Sequence, residues 1–172
     1  MRPAVNVPLS VTRVGRQTLD KLTREINKEL TTFLSDFTKL QSVSHFGQEL
    51  TDEVKKNLRL GDMVNNFFSQ PYQETVPHKV QLIIIAMIMN DFIQSKEDLM
   101  KAKKALIACY YDREKQKILY DLTAPKEIKN FYDSILRQKQ MIMEMTGLHM
   151  VAPIISAPVA PAPVAAVPPP AK

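Results

Sequence analysis

The side chains able to do chemistry are few and scattered. Of four glycines in 172 residues, Gly15, Gly47, Gly61 and Gly147, none stands in the spacing of a loop that cradles phosphates, which needs consecutive backbone N–H groups free of Cβ atoms. His45, His78 and His149 lie far apart, with no cysteine or second histidine at ligand spacing, so no metal site is expected. No serine sits in a Gly-x-Ser-x-Gly elbow, and the aspartates and glutamates spread along helix faces where solvation explains them. The single cysteine, Cys109, has no internal disulfide partner, and its neighbours at helical spacing predict a small buried hydrophobe.

Chemistry being sparse, the elements matter more. Apolar residues make up 45% of the chain and charged residues 24%, ordinary values for a domain that folds in water. The longest apolar run, Leu82 to Met89, is far short of the roughly 20 residues that span a bilayer. No direct membrane insertion is therefore expected, and Met1 to Pro8 carries no secretory h-region. The formal net charge is +5, but Lys55, Lys56 and Arg59 alternate with Asp52, Glu53 and Asp62, and Lys101, Lys103 and Lys104 follow Glu97 and Asp98. Interleaved charge predicts a solvated mixed face and no nucleic-acid partner.

Helical periodicity dominates the middle of the chain. Leu19, Leu22, Ile26, Leu30, Phe33, Phe37 and Leu40 recur every three or four residues from a start near Thr18. Leu50, Val54, Leu58, Val64, Phe67 and Phe68 define a second stripe, capped at Thr51 or Asp52 and ended before Pro71. Pro77 opens a third helix whose continuous apolar run predicts the centre of a bundle. Ser95 and Asp98 start a fourth, with Leu99, Leu106 and Tyr110, which fades near Asp112. Thr123, Pro125 and Glu127 start a fifth, with Ile128, Phe131, Ile135 and Ile142 on one face and Gly147 as its stop. Met141, Met143, Met145 and Met150 read as core filler.

The two ends differ from this body. Val5, Val7, Leu9 and Val11 alternate with a period of two, which suits a strand; alone it must find a sheet elsewhere. From Pro153 onward seven of the twelve prolines fall among alanine, valine and isoleucine, predicting an extended, disordered polyproline-like spacer. The fold class expected is all-α: a helical bundle preceded by one short N-terminal β-strand and followed by a Pro/Ala-rich tail. The divisions are residues 1–15 for the strand, 16–147 for the helical domain and 148–172 for the tail.

The stretch Arg2-Pro3-Ala4-Val5-Asn6-Val7-Pro8-Leu9-Ser10-Val11-Thr12-Arg13-Val14-Gly15 resembles Arg-Pro-Ala-Ile-Asn-Val-Gly-Leu-Ser-Val-Ser-Arg-Val-Gly of the alpha subunit of F-type ATP synthase. The resemblance continues without a gap. His45-Phe46-Gly47-Gln48-Glu49-Leu50 is similar to Gln-Phe-Gly-Ser-Asp-Leu, and Gly61 with Phe67, Phe68 and Gln70 to Arg-Gly-x-x-x-x-x-Leu-Leu-x-Gln. Gln81-Leu82 and Asn90-Asp91-Phe92-Ile93 resemble the family's Gln-Val and Asn-Gly-Tyr-Leu. It runs from Arg2 to about Ile93, and beyond that only as a loose helical match. Departures are Pro8 for glycine, Thr12 for serine, and Arg16 and Leu19 for a small residue and a glutamine.

The resemblance implies the last strand of a nucleotide-binding domain followed by a helical C-terminal domain. It also implies a role for Arg13, which falls on the family arginine that reaches across the subunit interface to the nucleotide of the beta subunit. A planar, permanently charged guanidinium suits that arginine-finger role, because it neutralises charge spreading over a transferring phosphoryl group. With Met1 directly before the motif, the family's barrel and P-loop are expected on another polypeptide, or lost from a truncated product. The implied partners are the beta subunit, a complementary N-terminal alpha portion and the gamma rotor subunit, peripheral to an energy-transducing membrane. No cofactor is expected in this chain itself; ATP or ADP with Mg would lie at the interface. An autonomous helical adaptor, or a divergent paralogue in another assembly, is the alternative.

Overall fold

A helix that is apolar on every face must be surrounded, and the run Leu82 to Met89 organises the fold accordingly. The computed structural model describes residues 18–44, 51–69 and 75–148. In these, seven helices follow one another: α1 Lys21–Ser44, α2 Asp52–Phe68, α3 His78–Met89, α4 Lys96–Tyr111, α5 Arg113–Leu122, α6 Ile128–Arg137 and α7 Lys139–Thr146. Helix α3 lies in the middle, packed against α2, α4, α5 and α6. Ile83, Ile84, Ala86, Met87 and Ile88 are wholly excluded from solvent. Helix α1 lies on α2 and α6, and α7 closes the far side against α4 and α6.

Caps set most of the boundaries. The Thr51 hydroxyl accepts from Val54 N at 3.4 Å, and Ser95 accepts from Asp98 N at 3.0 Å. Asp112 ends α4 and begins α5, its Oδ1 accepting from the backbone of Glu114 and Lys115. At the close of α7, Gly147 takes φ 65, Gly147 N donates to Glu144 O and Leu148 N to Met143 O. This is a Schellman ending, with Leu148 and Met143 both buried beneath it.

The all-helical class expected from periodicity holds for the described residues, and the α1, α2, α3 and α4 stripes lie where the spacing puts them. Leu34 and Leu60, which stand outside the expected stripes, are buried, while Phe33, Val54, Leu58 and Tyr110 within them are only partly covered. Two features differ from the expectation. Arg113–Leu122 forms a separate helix where only fading was expected, because Ile118, Leu119 and Leu122 make too short a stripe to register as periodic. The single helix expected from Ile128 to Gly147 breaks at Gln138, where φ −99 and ψ 18 leave helical geometry. The break lets α6 seat Phe131 and Ile135 beside α1 and α3 while α7 turns Ile142 and Met143 toward α4. The expected strand at 1–15 and the tail beyond Leu148 lie outside the described residues.

Candidate functional site

Arg13, the one side chain for which the family resemblance implies a catalytic role, lies outside the described residues. What the structure describes is the platform that begins seven residues later. Asp20 sits directly before α1, and its Oδ1 accepts from Thr23 N at 2.7 Å, which makes it the cap of the helix. Partial burial acts to raise its carboxyl, but the Thr23 bonds, with His78 and Lys79 nearby, outweigh that and hold it below the usual carboxylate range.

This end of α1 is tied to two other helices. Thr23, almost fully buried, shares a hydrogen bond at 3.4 Å between its Oγ1 and His78 Nε2 in the first turn of α3. The Lys79 ammonium donates to Thr123 Oγ1 at 3.2 Å and stands 4.7 Å from the centre of the Tyr120 ring, which brings the end of α5 to the same place. Across from them, Glu25 Oε2 accepts from Ile128 N at 3.0 Å, capping α6 from a helix 103 residues away. Lys21 bridges Glu127 at 3.3 Å. One turn on, the Tyr132 hydroxyl donates to Glu29 Oε2 at 3.3 Å. Burial, together with the Glu29 charge, pushes the Tyr132 phenol well above its ordinary range; desolvation pushes the Glu29 carboxyl up while that hydrogen bond opposes it.

These groups are committed to fixing the start of α1 on α3, α5 and α6. Such an arrangement suits holding an incoming segment at a set angle, and offers no nucleophile paired with a base. Cys109 is buried, and desolvation, reinforced by Asp112 against the opposing Lys115, pushes its thiol up, away from a reactive thiolate. Of the interleaved basic residues, Lys55 pairs with Asp52 at 3.3 Å, while Arg59 and Lys56 reach Asp91 at 2.6 and 3.9 Å. Among the described residues, no three metal-ligating side chains come together and no helix is long and apolar enough to cross a membrane. Sequence reasoning named neither Asp20 as a cap nor Glu25 and Tyr132 as ties. Asp20 was hidden inside a stripe expected to start near Thr18, whereas the helix begins at Lys21; the other two depend on partners more than a hundred residues away.

Comparison with known proteins agrees with this architecture. Residues 20–143 match the family model described as ATP synthase alpha/beta chain, C terminal domain. The protein is 26% identical to the ATP synthase subunit alpha of Wigglesworthia glossinidia brevipalpis over 143 residues, which make up 78% of this chain and 28% of that protein. It is 30% identical to the subunit alpha of Clostridium acetobutylicum over 92 residues, 54% of this chain and 18% of that one. For the subunit alpha of Mycoplasmoides gallisepticum the identity is 26%, over 80% of this chain and 28% of that one. The chain thus spans less than a third of the length of these relatives.

Proposed function

This protein belongs to the family defined by the C-terminal domain of the ATP synthase alpha and beta subunits, and from that premise we propose that it works inside a rotary ATP synthase as the C-terminal part of an alpha subunit. In this reading the segment 1–15 completes the sheet of a nucleotide-binding domain whose remainder comes from a complementary N-terminal alpha portion. Arg13 reaches the nucleotide bound by the neighbouring beta subunit and stabilises the charge of phosphoryl transfer. The helical domain lies toward the gamma rotor, and the assembly is peripheral on its energy-transducing membrane. The observation that carries the proposal is continuity: the ungapped resemblance from Arg2 to Gly15 runs directly into the domain matched at residues 20–143.

In this reading ATP or ADP with Mg is bound at the interface with the partner subunits. Native co-purification of the tagged protein from its own source tests the reading. Recovery in fixed proportion with a P-loop-bearing alpha portion and a beta subunit is the expected result; recovery alone, or with unrelated proteins, overturns it.

One observation favours a second reading, an autonomous helical adaptor. Among the described residues the buried apolar side chains other than Phe37 form a single core, and no buried side-chain nitrogen or oxygen lacks a hydrogen-bond partner. Cooperative unfolding of a monomer that co-purifies with no synthase subunit is the outcome specific to it.

A further inference from the structure

Among the described residues four large apolar or aromatic side chains are strongly exposed, Met100, Tyr111, Tyr120 and Leu136, and two of these belong to one cluster. Tyr111, 75% exposed, closes α4 with its ring edge-on to that of Tyr110, the centroids 5.5 Å apart and the planes at 87°. Tyr120, 45% exposed near the end of α5, meets Tyr110 hydroxyl to hydroxyl, which pushes the Tyr110 phenol up. The corner is held by its neighbours: Gln116 Nε2 donates to Tyr110 O at 2.9 Å, and Lys79 stands over the Tyr120 ring. Charge does not dominate it, since Asp112, at the turn between the two helices, is balanced by Lys115 at 3.8 Å. Perpendicular rings with open faces and hydroxyls at their tips suit an uncharged, extended, proline-bearing segment, whose rings stack on the aromatic faces and whose carbonyls accept from the hydroxyls.

The chain carries such a segment. From Met150 to Ala171 no residue is charged, Ser156 is the one hydroxyl-bearing side chain, and seven prolines fall there. Pro158 and Pro161 are three residues apart, one turn of a polyproline helix, and therefore share an edge of it. We propose that residues 158–163, Pro-Val-Ala-Pro-Ala-Pro, dock on the cluster of Tyr110, Tyr111 and Tyr120 of the same chain, with proline rings against the exposed faces of Tyr111 and Tyr120. The path starts in the right place: Leu148 is buried at the close of α7, and α7 packs on α4, the helix that ends in the tyrosines. Pro158 follows Leu148 by ten residues, about 31 Å of extended polyproline against about 24 Å for the whole of α4, so the segment reaches the cluster from any point along that helix. A preorganised backbone loses little freedom on docking, and the tether holds the segment at roughly millimolar local concentration. The contact is internal to the chain and needs no synthase subunit.

The test uses the full-length, isotope-labelled protein with a nitroxide spin label on Ala165→Cys, just beyond the docking segment. Cys109, buried with its thiol pushed up, does not compete for the label. The expected result is selective loss of the backbone amide signals of Tyr111, Asp112 and Asp121, with that of Ser42 at the other end of α1 retained. The loss should disappear in Tyr111→Ala/Tyr120→Ala, checked for unchanged thermal unfolding, and in Pro158→Ser/Pro161→Ser/Pro163→Ser, whose substitutions lie outside the core. Intact signals at the cluster, loss that spreads evenly over the surface, or loss that persists in either variant overturns the proposal. So does loss in a mixture of isotope-labelled chains without nitroxide and spin-labelled chains without isotope, which would assign the cluster to the tail of a second copy.

Discussion

The Arg59 guanidinium holds the Asp91 carboxylate at 2.6 Å, and Asp91 does this from a backbone at φ 60. The left-handed region is where glycine is at ease, and glycine is what the resembled family motif has at this position. Here a side chain occupies the turn after α3 and ties it to α2, with Lys56 as a second, more distant partner at 3.9 Å.

Two substitutions separate the backbone cost from the ion pair. Asp91→Ala loses the pair and still places a Cβ at positive φ, so unfolding in urea should show a loss of about 1–2 kcal/mol. Asp91→Gly loses the same pair but relaxes the backbone, and should stay within about 1 kcal/mol of the parent. Equal stability of the alanine and glycine variants would mean that the turn carries no conformational strain.

Asp20→Ala removes the cap of α1 and should cost about 1 kcal/mol at neutral pH. The sign of its pH dependence follows from a folded carboxyl held below its ordinary value of 3.8. A group depressed in the folded state contributes its stability above the unfolded value and loses it as pH falls through the folded one. The gap between parent and variant should therefore be full at neutral pH and close only at the acid end of the unfolding series.

Gly61 lies inside α2 where a Cβ would run into the Phe37 ring of α1. Gly61→Ala should gain a little helix propensity and lose more to overpacking, a net destabilisation of roughly 1–2 kcal/mol. Adding Phe37→Leu frees the space, so the double variant should be more stable than the sum of the single effects predicts. Thermal melts of the four proteins measure that coupling directly.

If Arg13 acts as proposed, Arg13→Ala in the assembled complex should lower ATP hydrolysis by about a thousandfold or more, with assembly and helical stability unchanged. Arg13→Lys should not restore it, because an ammonium keeps the charge without the planar fork. An unchanged rate removes the arginine from catalysis.

How much was legible beforehand depended on the range of the interactions. The α1 stripe, the Thr51 and Ser95 caps and the burial of Leu82 to Ile88 are written locally, because a helix face or a cap is defined by residues at most four apart. For the same reason Cys109 and Met143 could be read as core, and both are buried, while Met141 and Met145 are only partly covered and Met150 lies outside the described residues. Helix α5 escaped because its stripe spans barely one turn, and the break at Gln138 escaped because the apolar spacing runs through it unchanged.

The sequence by itself determined that this is a helical domain built around one apolar helix, and through its motifs it determined the family, since those properties reside in short-range spacing and residue identity. Only the tertiary structure decided that Glu25 caps α6, that Tyr132 meets Glu29 and that Arg59 finds Asp91. Each of these joins groups more than thirty residues apart in sequence, and their meeting depends on how the helices cross when the core around α3 is closed, which no local pattern encodes.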